Sequence, residues 1–287
     1  MYKLFCDSNC ELWHTVVERL GLNVIKMPYI IENNEYFYDL GKDTDFKAFY
    51  SAMRGGTVPK TSALNEYDYI EYFEPVLAAG YDVLYITFSH AMSATFMAMD
   101  MAVADLKKKY PDREIRAIDT KTISLGAGFI VYYAALKYGE GATMDELTAY
   151  VNDLIPRTAT YFAVDNFTYL YRGGRVSGIS RVIGNLFGIK PILYFNEEGK
   201  IVTADKQKGF KKAVASLLSR LEEKGDEADK YKIFVLQADC EEIAQVFVAD
   251  IKAKYPAADV VLQPVGPVIG SHCGPGTLGL IFHAKER

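Results

Sequence analysis

Short apolar runs alternate with stretches of helical periodicity through the first half of this chain, and that alternation narrows the fold more than any other feature. Tyr2–Cys6 reads as a strand, with Asp7-Ser8-Asn9 as the cap of a helix that runs to about Leu20. Leu22–Ile31 reads as a second strand. Helices are expected over Thr44–Met53 and Tyr67–Ala79, on either side of a loop at Gly55–Leu64. Val83–Phe88 is an apolar run short enough for a buried strand, Ser93–Tyr110 is helical, Glu114–Ile118 is the next strand, and Ile123–Lys137 and Met144–Ile155 continue as helices. Strands and helices that alternate in this way imply a mostly parallel sheet covered by helices.

Near Pro156 the pattern changes. Thr160–Val164 reads as a strand and Phe167–Tyr171 as a short helix that stops at Gly173-Gly174. Lys190–Phe195 and Lys200–Ala204 flank Asn196-Glu197-Glu198-Gly199, the pattern of an antiparallel hairpin. A helix over Phe210–Lys224, a strand over Tyr231–Gln237, a helix over Glu241–Lys254 and strands at Val260–Pro264 and Leu278–His283 complete a mixed sheet. The expectation is an α/β chain with two domains, residues 1–156 and 157–287.

Composition excludes several classes. A net charge of −5 argues against a nucleic-acid binder, which shows a basic stripe, and gives no support to an electrostatic membrane contact. No run approaches the roughly 18 consecutive apolar residues of a membrane span, so no stable membrane insertion is expected. Asp7 interrupts the N-terminus before a signal-peptide core can form, so a cytoplasmic location is expected. The four cysteines, Cys6, Cys10, Cys240 and Cys273, lack paired zinc-binding spacing, and the expectation is a reduced chain with no metal site and no cofactor. The 21 tyrosines and 16 phenylalanines suit a core and equally the walls of an apolar ligand site.

Ligands of open parallel sheets bind outside the carboxyl ends of the strands. The residues there are short and polar: Asp7 and Ser8, Thr61 and Ser62, Thr87 and Ser89, Asp119 and Thr120. Asp7, Ser8, Asp119 and Thr120 are read as helix caps, whereas Thr61, Ser62 and Ser93 suit capping and ligand binding equally. The stretch Val268–Gly279 sets His272 among four glycines and a proline, a loop in which the backbone can approach a ligand closely. Tyr171-Arg172-Gly173-Gly174-Arg175 suits anion recognition by guanidinium groups and also a basic helix end with a glycine stop. Phosphate-loop and nucleophile-elbow motifs are missing, and Gly126-Ala127-Gly128 lacks the third glycine of a dinucleotide site, which leaves close helix packing as its reading. Cys273 beside His272 in an extended segment would point the other way, which disfavours a thiol–imidazole pair.

These residues resemble the DegV family, whose fatty-acid-kinase-associated members are called FakB. Asp7-Ser8-x-x-Glu11-Leu12 resembles the family's Asp-Ser-x-x-Asp-Leu, Thr61-Ser62 its Thr-Ser-Gln loop, and Ser89 to Phe96 its Ser-Ser-x-Leu-Ser-Gly-Thr-Tyr segment. Phe162–Asn166, Tyr169-Leu170 and the Arg172–Arg175 block match nearly in full, as do Lys190–Leu193 with Gly199 and the stretch Gly270–Gly279. Ala63 stands where the family has Gln, His90 replaces the second Ser, Ala94 the Gly and Met97 the usual Gln.

The resemblance implies a lipid-binding protein without catalytic power of its own. It implies a long-chain fatty acid held between two domains, its carboxylate bound by Thr61, Ser62, Ser93 and His272. It also implies a docking surface around Arg172 and Arg175 for a separate fatty acid kinase, which forms an acyl-phosphate for phospholipid synthesis. The apolar stretch around Met92–Met99 is the expected tail wall. The competing readings are a serine hydrolase or acyltransferase using Ser93 and His272, and an enzyme acting on a small phosphorylated or carbohydrate substrate in an open polar cleft.

Overall fold

The computed structural model describes residues 1–176 and 188–287. Its first sheet holds β1 (Tyr2–Asp7), β2 (Asn23–Ile25), β6 (Asp82–Thr87) and β7 (Ile115–Asp119) in the order β2-β1-β6-β7, with every pair parallel. Both faces of this sheet are covered. Leu4, Phe5, Val83, Leu84 and Tyr85 are therefore all buried, which is why β1 and β6 read as continuous apolar runs.

The segment after β1 departs from expectation. Instead of one helix to Leu20 there is a 3-10 turn at Ser8–Cys10, then α1 (His14–Arg19). Glu11 between them has a left-handed backbone, φ 54°, which no continuous helix allows. The expected strand Leu22–Ile31 is split as well. β2 pairs with β1, and β3 (Pro28–Ile31) leaves for a separate antiparallel sheet with β4 (Asn34–Phe37) and β5 (Lys60–Thr61). β3 and β4 are joined by Glu32-Asn33, both at positive φ (49° and 68°), as a two-residue hairpin requires.

The second sheet contains β8 (Thr158–Ala163), β9 (Ile189–Phe195), β10 (Ile201–Lys208), β11 (Ile233–Ala238), β12 (Val260–Pro264) and β13 (Thr277–His283), ordered β10-β9-β8-β13-β11-β12. Only β11 and β12 run parallel, so the sheet is mixed. Successive residues of a strand face opposite sides. On β8 and β13, Tyr161, Leu278, Leu280 and Phe282 pack under α8 (Phe210–Lys224) and α9 (Glu241–Lys254). Phe162 and Ile281 point the other way, into the core shared with the first sheet.

α5 (Leu125–Gly139) sits in that shared core and touches β1 and β6 of the first sheet and β8, β11 and β13 of the second. Leu125 to Val131 are buried without interruption, the pattern of a helix enclosed on all sides. Side chains at Gly126 and Gly128 would strike the Thr122 and Thr160 hydroxyls and the Cys10 carbonyl, so both glycines serve close helix packing.

Glu11 ties the halves together. Its carboxylate accepts from Ser124 Oγ and from the Gly266 N–H at 2.5 Å, and its backbone carbonyl accepts from Gln263 Nε2. Burial pushes this carboxyl up to about 8, against the pull of its two donors. Tyr50, on α2 (Phe46–Arg54), adds a hydrogen bond from its hydroxyl to the Val265 carbonyl at 2.7 Å.

Candidate functional site: a cavity between the sheets

A cavity lies between the carboxyl ends of the first sheet and the inner face of the second. Met27, Phe88 and Ile123 wall it from the first half of the chain, and Phe162, Phe195, Ile201, Leu236 and Ile281 wall it from the second. The alternation of β8 and β13 explains this placement, since Thr160 and Phe162, and Thr277, Gly279 and Ile281, share the face opposite α8 and α9. Of the apolar stretch Met92–Met99, Met92 reaches the cavity. Met97 is exposed and Met99 belongs to the core.

Thr61, Ser62, Ser93 and His272 all line this one cavity, although they come from β5, the turns after β5 and before α4 (Thr95–Lys109), and α10 (Pro267–Cys273). Met92, Ser93 and Arg175 also line a depression on the outer surface, together with His90 and Lys200, so this end of the cavity is the one near solvent. The glycine-rich stretch read as a loop is a helix over its first part. Pro267 starts α10 with a preset φ, and Gly274, at φ 75°, ends it. His272 therefore stands on the last turn of a helix.

Thr61 Oγ1 lies 2.9 Å from His272 Nε2. His272 Nδ1 is buried with no hydrogen-bond partner among the described residues. Burial, and then the positive charge of Arg175, bring the imidazole down to about 4, so the ring is neutral near pH 7. When the ring donates from Nε2, Thr61 accepts and its own proton is available to a ligand. Ser93 Oγ accepts from the Thr95 N–H at 3.2 Å, an ordinary capping contact, and no described group accepts its proton. Capping and ligand binding are compatible at Ser93. Ser62 donates to Glu35 Oε1 at 2.7 Å, so its hydroxyl proton is engaged.

The Arg-Gly-Gly-Arg block ends α7 (Thr168–Gly173), with Gly174 left-handed at φ 67° as the stop. A side chain at Gly173 would run into His272 Nδ1, so this glycine exists for the close approach of the ring. Arg172 is exposed. Arg175 folds back, donates to the Met92 carbonyl (3.3 Å) and the Gly173 carbonyl (2.5 Å), and lines the cavity. Arg175, expected at the docking surface, lines both the cavity and the outer depression and adds a charged donor beside the hydroxyls. The diglycine turn that sends the chain back was the available signal.

Asp7 does more than cap: besides the Asn9 N–H (2.9 Å) it accepts from Tyr85 OH (2.9 Å) and the Phe88 N–H (3.3 Å), and burial pushes it up to about 7. Ser8 accepts from the Met27 N–H, and Asp119 from the Lys121 N–H. Cys273 also lines the cavity, but burial pushes its thiol up to about 12, far from a thiolate. Asp226, Glu227 and His283 bring possible metal-ligand atoms within 4.8 Å of one another, yet none of them lines the cavity. Asn9, Ser124 and Thr160 line it and were not singled out from the sequence.

A model of the DegV family matches residues 1–285. The chain belongs to the DegV family. A DegV domain-containing protein of Clostridium perfringens is 37% identical over 98% of this chain and 97% of its own. The structure is similar to a DegV lipid-binding protein of Thermotoga maritima, at 27% identity, TM-score 0.84 and full coverage of both chains (100%). It is equally similar to DegV of Bacillus subtilis, a fatty-acid-binding protein, at 26% identity, TM-score 0.84 and 99% coverage of both chains. The α/β architecture of one parallel and one mixed sheet is thus that of solved DegV proteins.

Proposed function

We propose that this chain binds a long-chain fatty acid between its two domains, residues 1–156 and 157–287, and presents the carboxylate to a separate fatty acid kinase. The carrying observation is the mainly apolar cavity whose solvent-side end brings Thr61 within 2.9 Å of His272, with Ser93 and Arg175 beside them. A methylene moved out of water contributes about 0.8 kcal/mol, so the tail dominates affinity. The head group decides orientation, because a buried carboxylate without donors is costly. Thr61 and Ser93 hydroxyls donate to its oxygens, His272 orients Thr61, and Arg175 supplies the opposite charge. Ser62 joins them when the ligand draws its hydroxyl from Glu35. Arg172, exposed one turn away, is the docking residue for the kinase, and Arg175 links that surface to the head group. The kinase transfers a phosphoryl group to the carboxylate, and the acyl-phosphate serves phospholipid synthesis in the cytoplasm.

The hydrolase reading lacks support in this geometry. His272 Nε2 faces Thr61 and not Ser93, and no described carboxylate meets Nδ1.

Mass spectrometry of organic extracts of the purified protein tests the ligand class, and a near-stoichiometric long-chain acid is expected. Replacing Ser93 and His272 together by Ala should weaken fatty-acid binding by roughly 10- to 100-fold, the size of a lost charge-assisted hydrogen bond. Unchanged affinity would remove the head-group assignment. Co-purification with a kinase, lost on Arg172→Glu, tests the partner.

A further inference from the structure

The head-group site has an acidic neighbour to which the fatty-acid reading gives no role. Glu35 stands on β4, and the Glu32-Asn33 turn fixes the register that pairs it with Ile30 of β3. Ile30 pairs on its other side with Lys60 of β5, while Tyr29 pairs with Tyr36 and Thr61. Residues of one such row share a face of the sheet, and successive residues of a strand alternate between faces. Thr61 therefore turns to the face of Tyr29 and Tyr36 and lies 2.9 Å from His272 Nε2. Ser62, the next residue, turns the other way and donates to Glu35 Oε1 at 2.7 Å.

Ser62 lines the cavity, and Glu35 is exposed beside it. A ligand oxygen hydrogen-bonded to Ser62 Oγ shares that atom with Glu35. Two oxygens on one hydroxyl, each at an ordinary hydrogen-bond length, stand roughly 4 to 5 Å apart. Ser62 has a single proton, so a ligand carboxylate that accepts it leaves Glu35 facing a second negative charge at that separation. Lys60 is two strand spacings from Glu35, and among the described residues no cation lies within ion-pair distance of the Glu35 carboxylate. Two unit charges so placed in a water-like surrounding repel enough to weaken affinity about fivefold, and a doubly charged head group feels about the square of that factor.

We propose that Glu35 is a specificity-determining residue for head-group charge, which penalises a doubly charged phosphoryl head group more than a singly charged carboxylate. This rests on the fatty-acid reading above and adds its charge selectivity. Arg175 by itself favours the doubly charged head group, because its attraction grows with the ligand's charge. Glu35 opposes that preference from the other partner of the Ser62 hydroxyl. A carboxylate that gains a phosphoryl group comes to carry about two negative charges. The same residue therefore loosens the hold of the cavity on a phosphorylated ligand.

The test is competition binding to the delipidated full chain with tetradecanol, myristate and tetradecyl phosphate, which share one tail and differ in head-group charge. At low ionic strength Glu35→Gln, which keeps an acceptor for Ser62 and removes the charge, is expected to tighten myristate about fivefold and tetradecyl phosphate about twentyfold, and to leave tetradecanol unchanged. Both gains should shrink to about twofold or less in molar salt. Glu35→Lys should extend the same order. Glu32→Gln, on the same hairpin but without a hydrogen bond to Ser62, should move the affinities far less. An equal change for all three probes, an unchanged affinity for the phosphate, or equal effects of Glu32→Gln and Glu35→Gln overturn the proposal, and myristate binding in those experiments leaves the fatty-acid reading standing. Failure of all three probes to bind overturns both readings.

Discussion

Replacing Gly279 by Leu should shorten the space available to an acyl tail. On β13, Leu278, Leu280 and Phe282 pack under α8 and α9, while Thr277, Gly279 and Ile281 face the cavity. A Cβ at 279 would meet Leu236 Cβ at 3.3 Å and Phe162 Cβ at 3.9 Å, so the Leu236 side chain must yield by a few tenths of an ångström. The rest of the new side chain enters the cavity. A leucine side chain has about as many carbons as four methylenes, and at about 0.8 kcal/mol for each displaced methylene the loss is about 3 kcal/mol, or roughly two hundredfold in affinity. Calorimetric titration with acids of increasing length should show octanoate little affected and palmitate strongly weakened. The thermal midpoint should move little, because the added atoms fill empty space. An equal loss for octanoate and palmitate, or full palmitate affinity, would refute a tail that runs along β13.

Two further outcomes follow from the same geometry. Gly173→Ala should push His272 away from Thr61 and weaken fatty-acid binding about tenfold, whereas Gly174→Ala, at φ 67°, should cost about 1 kcal/mol of stability and leave affinity intact; paired calorimetry and thermal melts separate the two, and equal effects on affinity would contradict the close approach. Glu11 has its carboxyl raised from 4.5 to about 8, so the folded chain holds this proton longer than the unfolded chain. Its contribution is fully present below pH 4.5 and is lost as pH rises through about 8, a change on the order of a few kcal/mol. Glu11→Gln keeps an acceptor for Gly266 and should flatten the decline of denaturation midpoints over that window, with the part due to Asp7, raised from 3.8 to about 7, remaining. An unaltered pH profile in the Gln variant would show that Glu11 is not the titrating group.

The sequence by itself determined the parallel first sheet, the hairpin of β9 and β10, the family, and the residues Thr61, Ser62, Ser93 and His272 that meet in one cavity. Periodicity, turn residues and short motifs are local properties, and local properties are legible in order along the chain. Two local features still escaped. The left-handed Glu11 stopped an expected helix, and the Glu32-Asn33 turn lacks the glycine that marks most such hairpins.

Tertiary structure alone decided the rest. Thr61 and His272 stand 211 positions apart, and nothing local sets a 2.9 Å contact between them. The neutral imidazole, the raised carboxyls of Asp7 and Glu11 and the unpartnered Asn9 oxygen all arise from burial, which depends on what packs around a group from every side. Arg175, expected on the surface, also lines the cavity for the same reason. Its position follows from where the diglycine turn meets α10, and a linear string of residues does not contain that meeting.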